Sequence, residues 1–496
     1  MGFFIGETQL WERAPARDRP LGWAPTVRIG IYYRNMQAPF DIAADLDTPV
    51  SAFLKLGPLQ PRFLLESVEG GERLARYSFL GFGDALEVRM DADGLVVGGE
   101  TQARPATREA YLDALRQALA KAPRPMPDVE GLPFSGGLVG VSGYDVVRLF
   151  ERLPKGTEPQ TNVPDAAFVA PVSLLVFDHL TRRVALLHDG PEAERQSLRK
   201  EVIERLRGPI PGTNGNVEIS PVTASLSEEE YSDRVKACKE YIAAGDIYQI
   251  VLSVLFRGRS NVAPFEVYRA MRLLNPSPYM FFFQFDDLAV VGSSPEALVR
   301  LHGNRASLRP IAGTLPRGAT TAEDLANETT LLADPKEAAE HVMLVDLARN
   351  DLGRVARAGT VHVDPYRAIE RYSHVMHIVS GVEGELDEQY DQFDLFAASF
   401  PAGTLVGAPK VRAMEIIEEM EQVGRGLYAG TAGYFGVSGD MDQAITIRTL
   451  VFSGDEYSFQ AGAGIVADSV PAREYQEALA KSAILRRALE IAGEGL

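Results

Sequence analysis

A chain of 496 residues, 46% hydrophobic and 24% charged, has apolar side chains enough for a large core and for two to four domains, or two large ones. Its 68 acidic residues against 50 basic ones leave a net charge of −18, which argues against nucleic acid or an anionic membrane surface as a partner. A single cysteine, Cys238, excludes an internal disulfide and fits a reducing, cytoplasmic setting. No apolar run reaches the roughly 18 residues a membrane-spanning helix needs. The N-terminus lacks the basic start and long apolar stretch of a signal peptide.

Residues 1–35 read as an extension to which no pattern assigns a role, with Met36 as an alternative start. From residue 36 to 207, short apolar runs alternate with turns: Ala110–Leu119 is predicted as a helix, Phe168–Phe177 and Arg183–Leu187 as strands. The Gly-rich run Phe134–Tyr144 is read as closely packed backbone, because no Lys-Ser/Thr follows to make a phosphate loop. Residues 208–220, with the Gly-, Pro- and Asn-dense GPIPGTNGN, are read as a linker or exposed loop. Beyond it, Ser227 and Glu230 form a capping box for a helix that runs to Ala244 and stops at Gly245. Strands are predicted at Ile247–Leu255, Tyr279–Phe285, Leu288–Gly292, Met376–Val379, Tyr428–Phe435, Ala444–Phe452 and Tyr457–Ala461. Helices are predicted at 334–352, 408–421 and 471–491. This mixture, without regular βα alternation, predicts an α+β protein whose large antiparallel sheets pack against helices.

Two helices carry the most chemistry. Asp334–Leu352 has an N-cap aspartate, a proline in its first turn and an apolar stripe read at Val342, Leu344, Val345 and Leu347. Glu337 and Glu340 share one face of it. The segment Pro471–Leu489 offers a matching pair, Glu474 and Glu477. Either pair alone reads as an ordinary solvated acidic face. Two such helices together suit a hard divalent cation, Mg²⁺ or Ca²⁺. Iron is set aside, because His341 comes one residue too late for a Glu-x-x-His set. Arg448, inside the apolar run AITIRTLVF, is costly unless it holds a carboxylate. His377 reads more readily as a core histidine than as a site residue, and His374 likewise. The run GAGIVA at 462–467 is a weak dinucleotide fingerprint; its glycines better serve close approach of a carboxylate to the backbone. Residues 402–410 (AGTLVGAPK) are not a Walker loop but offer Thr404 as a hydrogen-bond donor. Cys238 falls on the inner stripe of a helix and is read as a buried thiol.

The segments GDIYQIVLS, SSPEALV, PIAGTLPRG, DPKEAAEHVMLVDLARNDLGRV, HVMHIVSGVEGEL, FPAGTLVGAPKVRAMEII, GLYAGTAGYFG and QAGAGIVADSVPAREYQE occur together and in order. With LLESVEGGERLARYSFLG and FSGGLVGVSGYD, they make nearly everything beyond residue 40 similar to the chorismate-utilising enzymes. The resemblance is strongest to the branch of anthranilate synthase large subunits. It implies Mg²⁺ held by Glu340 and Glu477, with Glu337 and Glu474 acting through waters. It implies that Tyr428, Arg448, Gly462 and Gly464 bind the enolpyruvyl carboxylate of chorismate, and that Gly313, Thr314 and Thr404 orient the ring. His377 resembles the acid/base that helps expel the C4 hydroxyl, and Glu296 a further polar group of the site. The implied reaction is a lyase reaction: ammonia adds at ring C2, then pyruvate is lost to give anthranilate, the first committed step toward tryptophan.

Gln249 and Ala312 stand where water-using and aminodeoxychorismate-forming relatives carry lysine, which points to ammonia attack. Leu255 departs from the family pattern, which has a basic residue there. Leu65, Glu66 and Ser67, with Pro278, Tyr279 and Met280, resemble the two halves of a feedback site for L-tryptophan; the 36–207 region would contribute the first half and residues 221–496 the catalytic machinery. A separate glutamine amidotransferase subunit is implied as the ammonia source. An aminodeoxychorismate synthase and an inactive tryptophan-sensing subunit are the alternatives.

Overall fold

A computed structural model of the chain describes residues 39–69, 73–74, 76–154, 156–160, 163–212, 217–372 and 375–496. The predicted N-terminal extension, Met36 and His374 lie outside the described residues.

Two long antiparallel strands, Tyr77–Met90 and Ala166–Asp178, form the spine of the main sheet, paired from Tyr77↔Asp178 to Met90↔Ala166. Their register shifts after Phe82, and the two ends of Ala166–Asp178 take different partners on the far side. One end pairs with Arg183–His188 and the other with Gly137–Ser142. Two arms grow from this spine. One runs through Pro61–Glu66, Tyr279–Gln284, Leu288–Ser294, Thr449–Ser453 and Glu456–Ile465 to Gln249–Arg259. The other runs from Gly137–Ser142 through Thr431–Gly436, Met441–Ile445 and Ala297–His302 to Arg305–Leu308 and Val382–Glu385. Every one of these pairings is antiparallel, as the α+β reading expects. Strands from before and after residues 208–220 alternate within this one sheet.

Residues from both arms enclose an apolar layer that includes Phe63, Phe79, Phe134, Phe281, Phe283 and Tyr434, with Phe79 and Phe134 edge to face at 5.5 Å. Helices build a second, larger core on the other sheet faces; Arg108–Lys121, Glu228–Ala244 and Pro264–Leu274 each bury one side there. The capping box at Ser227 and Glu230 forms as read, and Gly245 ends its helix at φ 85°. Cys238 is fully buried on that helix.

Three local expectations need correction. The helix Pro335–Gly353 is capped by the Asp334 carboxylate, which accepts from the Lys336 and Glu337 N–H groups. Its buried row, however, is His341, Leu344, Val345, Ala348, Asp351 and Leu352, while Val342 is 40% exposed. A histidine therefore stands in the stripe where valine was expected, its Nε2 2.7 Å from Ser380 Oγ. Second, the predicted strand Ala444–Phe452 is two strands, Met441–Ile445 and Thr449–Ser453, broken by Arg448 at φ 51°. Third, Tyr428 precedes its strand, which begins at Thr431. A small three-stranded sheet, Ile311–Pro316, Val375–Val379 and Ala368–Arg371, stands apart from the main one and packs Met376 and Ile378 on Leu331.

Candidate active site

The elements that end near the small sheet surround a cavity of about 600 Å³. Its wall takes Tyr428 and Arg448 from bends beside the main sheet, Gly462 and Gly464 from Glu456–Ile465, and Gly313 and Thr314 from the small sheet. Glu296 and Thr404 come from turns, Glu337 and Glu340 from Pro335–Gly353, and Glu474 and Glu477 from Pro471–Glu494. Twelve of the thirteen residues read from the sequence as catalytic, substrate-binding or metal-binding thus meet in one place. His377 stands one layer back. Its Nδ1 lies 2.9 Å from Thr314 Oγ1 and 3.1 Å from the Gly313 carbonyl, and burial holds its pKa below the ordinary histidine value.

The break at Arg448 is what brings its side chain to the cavity. The left-handed φ ends one strand and restarts the next, and the Ser293 N–H donates to the Arg448 carbonyl at 3.2 Å across the bend. Burial lowers the pKa of this guanidinium, and only the charge of Glu296 opposes that. A desolvated cation so weakly compensated suits an anionic ligand. Glu296 itself is pushed up to about 7 by burial, against the hydrogen bond that Thr404 Oγ1 donates at 3.0 Å and the charges of Arg448 and Lys481. It is a carboxyl that titrates near neutral pH.

The four helix glutamates fit a hard cation by their donor chemistry. All are oxygen ligands, and Glu337 is driven above the usual carboxylate range first by burial and then by the charges of Glu340 and Asp334. Among the described residues no three acidic, histidine or cysteine groups yet converge on one point, so the two pairs share a cavity without closing a cage. Glu477 is held by Lys481 at 2.8 Å.

Sequence reasoning missed the basic side of the cavity: Lys336, Arg473 and Lys481 line it as well. The signal was available in the i, i+4 spacing of Glu477 and Lys481. The glycines are also required by packing. A Cβ on Gly462 would lie 2.3 Å from the Leu252 carbonyl, and one on Gly464 would lie 2.9 Å from Gln249 Nε2. Gly462 thus permits strand packing, and Gly464 leaves room for Gln249, whose buried Oε1 has no hydrogen-bond partner among the described residues and which lines the cavity.

A second cavity, of about 240 Å³, is lined by Leu65, Glu66, Ser67, Pro278, Tyr279 and Met280, together with Arg76, Arg300, Tyr434 and Asp442. The Glu66 carboxylate accepts from Tyr268 Oη at 2.6 Å and from Arg272 Nε at 3.0 Å, on the helix side of its strand. It is therefore already engaged. Met280 pairs with Ser293, the residue whose N–H holds the Arg448 carbonyl, so a single strand pair separates the two cavities.

An antiparallel sheet curled around a cavity with these glutamates, glycines and arginine defines a class, and the sequence profile of chorismate binding enzymes matches residues 60–487. The chain belongs to that family. Within it, anthranilate synthase component 1 of Aquifex aeolicus is 45% identical over 468 residues, covering 92% of this chain and 94% of its own. The protein of that name from Thermus thermophilus is 46% identical over 460 residues, covering 91% and 97%. The crystal structure of anthranilate synthase component I from Streptococcus pneumoniae superposes with a TM-score of 0.75 at 35% identity, over 83% of this chain and 92% of that one. The menaquinone-specific isochorismate synthase of Escherichia coli, at 20% identity and a TM-score of 0.65, shares the fold over 88% of this chain and 91% of its own.

Proposed function

We propose that the chain is the large subunit of an anthranilate synthase, acting in tryptophan biosynthesis: it adds ammonia to chorismate at ring C2, expels the C4 hydroxyl as water, and then releases pyruvate. The observation that carries this reading is the meeting, on one cavity wall, of the buried Arg448 guanidinium with Glu296, whose carboxyl burial pushes up to about 7. Arg448 and Tyr428 receive the enolpyruvyl carboxylate. Mg²⁺, held by Glu340 and Glu477 with Glu337 and Glu474 behind them, supplies charge stabilisation for the ring carboxylate when bound. Glu296 gives its proton to the departing hydroxyl, and Thr404 orients Glu296 by their shared hydrogen bond. The resemblance assigns that proton to His377. What supports Glu296 instead is that it lines the cavity, whereas His377 is bonded behind Thr314 and serves there to orient it.

Gln249 offers an unpartnered amide oxygen to the attacking ammonia, an acceptor rather than a base, in keeping with a nucleophile that needs no deprotonation before attack. Glutamine hydrolysis falls to an amidotransferase subunit, because Cys238 is buried and its thiol is pushed up to about 12 by burial. No helix among the described residues is long and apolar enough to cross a membrane, and a cytoplasmic setting fits the single cysteine.

Incubation with chorismate, Mg²⁺ and ammonium at mildly alkaline pH, read by fluorescence and mass, tests this. Anthranilate and pyruvate in equal amounts are expected. An aminated product that retains the pyruvyl group would place the chain with the aminodeoxychorismate synthases, and no turnover at all would leave a sensing subunit.

The second cavity is the feedback site for L-tryptophan in this reading, built half from the 36–207 region and half from Pro278–Met280. Ser67→Phe, which fills it, is expected to raise the tryptophan concentration for half-inhibition at least tenfold while uninhibited turnover stays within twofold. Met280→Thr should act in the same direction. Inhibition curves that superpose on the unsubstituted enzyme would remove tryptophan from this cavity.

A further inference from the structure

Arg425 is among the largest side chains buried in the molecule, at 2% exposure, and nothing in the proposed chemistry uses it. Four of its five N–H donors are engaged. Nε and Nη2 donate to the two oxygens of Glu421 at 2.9 and 2.8 Å, Nη1 donates to the Leu405 carbonyl at 2.7 Å, and Nη2 also donates to the Val251 carbonyl at 2.8 Å. The guanidinium lies 4.9 Å from the ring centre of Tyr144 and 5.7 Å from that of Tyr428. Leu405, Val251 and Tyr428 all line the 600 Å³ cavity, and Leu405 follows Thr404 directly. Three wall segments distant in sequence therefore meet on one planar cation. Glu421, also buried, continues the network: its Oε1 accepts the Ser253 N–H at 2.9 Å and the Ser253 hydroxyl at 2.7 Å, and that hydroxyl accepts from Gln460 Nε2 at 2.8 Å. Gln460 is again a wall residue. Leu255 is buried beside Gln460, and Arg425 is a cation paired with Glu421.

A buried ion pair is poor evidence of a stability gain, since desolvating both charges offsets their attraction. Its geometry is what distinguishes it: a rigid fork fixes directions that a lysine, a point charge on a flexible stem, would leave free. We propose that Arg425, held by Glu421, is a positioning residue that presets Tyr428, Val251 and the Thr404–Leu405 turn against one another, so that the substrate wall exists before chorismate arrives. The inference rests on the reading of this cavity as the chorismate site.

Two variants test it, each assayed as the full chain with chorismate, Mg²⁺ and ammonium beside the unsubstituted enzyme. Arg425→Lys keeps the charge and loses the fork. The double variant Glu421→Gln/Arg425→Gln is neutral and retains amides for Ser253 and for one carbonyl. Both are expected to keep the near-ultraviolet circular dichroism of the parent and to lose on the order of a hundredfold in kcat/KM. At least tenfold of that loss should appear as a rise in KM. A purely structural role would instead reduce the folded fraction, which lowers apparent kcat and leaves KM where it was. A folded variant with parental KM, a loss confined to kcat, or failure of both variants to fold overturns the proposal. Absence of turnover in the unsubstituted enzyme would instead remove the chorismate reading itself.

Discussion

Glu340→Ala is expected to reduce anthranilate formation about a thousandfold, the equivalent of roughly 4 kcal/mol of transition-state stabilisation. Glu340 contributes one of the two oxygen donors that the reading places directly on Mg²⁺, and among the described residues no histidine or cysteine lines the cavity to replace it. The loss should have a partner in binding. Titration calorimetry of Mg²⁺ should show affinity at least tenfold weaker, while the melting temperature without metal holds or rises. That last sign follows from electrostatics: the Glu340 charge is one of the causes that drive the Glu337 carboxyl upward, so its removal relieves repulsion. Glu337→Gln, at a position acting through water, should cost less than Glu340→Ala. Unchanged Mg²⁺ affinity in Glu340→Ala would take the metal away from these helices.

Glu296→Gln is expected to cost two to four orders of magnitude in turnover, roughly the range for removing a general acid, and to stabilise the fold above neutral pH. The folded pKa of this carboxyl, about 7, lies above the ordinary value of 4.5. The native state prefers the protonated form, so the contribution of this group is fully favourable below about pH 4.5 and is lost as the pH rises through 7. Glutamine has no such loss. The stability difference between variant and parent should therefore widen from pH 4.5 to pH 8 by about 3 kcal/mol, an order-of-magnitude figure from the size of the shift. Chemical denaturation at the two pH values measures it. A difference that does not change with pH would mean that Glu296 is ionised in the folded protein at neutrality, and would remove it as the proton donor. Such a pairing of stability gained with activity lost is what a strained functional group should display.

How much of this was legible in the chain depends on how local each determinant is. The helix bearing Glu337 and Glu340 could be placed from its cap, its proline and its propensities, because these act within a few residues. Its buried face was misjudged at Val342, since hydrophobicity alone does not reveal that Ser380 waits opposite to receive His341. The bend at Arg448 was invisible for a similar reason. The run AITIRTLVF has the composition of one continuous strand, and the Ser293 N–H that meets the Arg448 carbonyl at the left-handed bend comes from a strand distant in sequence. No element was expected at Tyr77–Met90, whose Gly81, Gly83 and Asp84 are residue types depleted in strands. Gly81 is needed there because a side chain would collide with the ring of Phe63. The second cavity followed from resemblance rather than from residue chemistry. The structure adds what resemblance lacked, that strand register turns the Glu66 carboxylate toward Tyr268 and Arg272.

The strand order carries a consequence for how the protein is made. Pro61–Glu66 lies between Tyr77–Met90 and Tyr279–Gln284, and Gly137–Ser142 lies beside Thr431–Gly436. A nascent chain emerging N-terminus first cannot complete the first neighbourhood until residue 284 has left the ribosome, nor the second until its last quarter, which carries Thr431–Gly436, has followed. At ordinary synthesis rates, an unpaired apolar edge at Pro61–Glu66 therefore waits roughly ten to forty seconds for its second neighbour. During that interval the early strands are the part of the molecule most open to aggregation and most in need of a chaperone. The same weave means that a nick near residue 210 would leave two pieces tied to each other by sheet hydrogen bonds, not two separable halves.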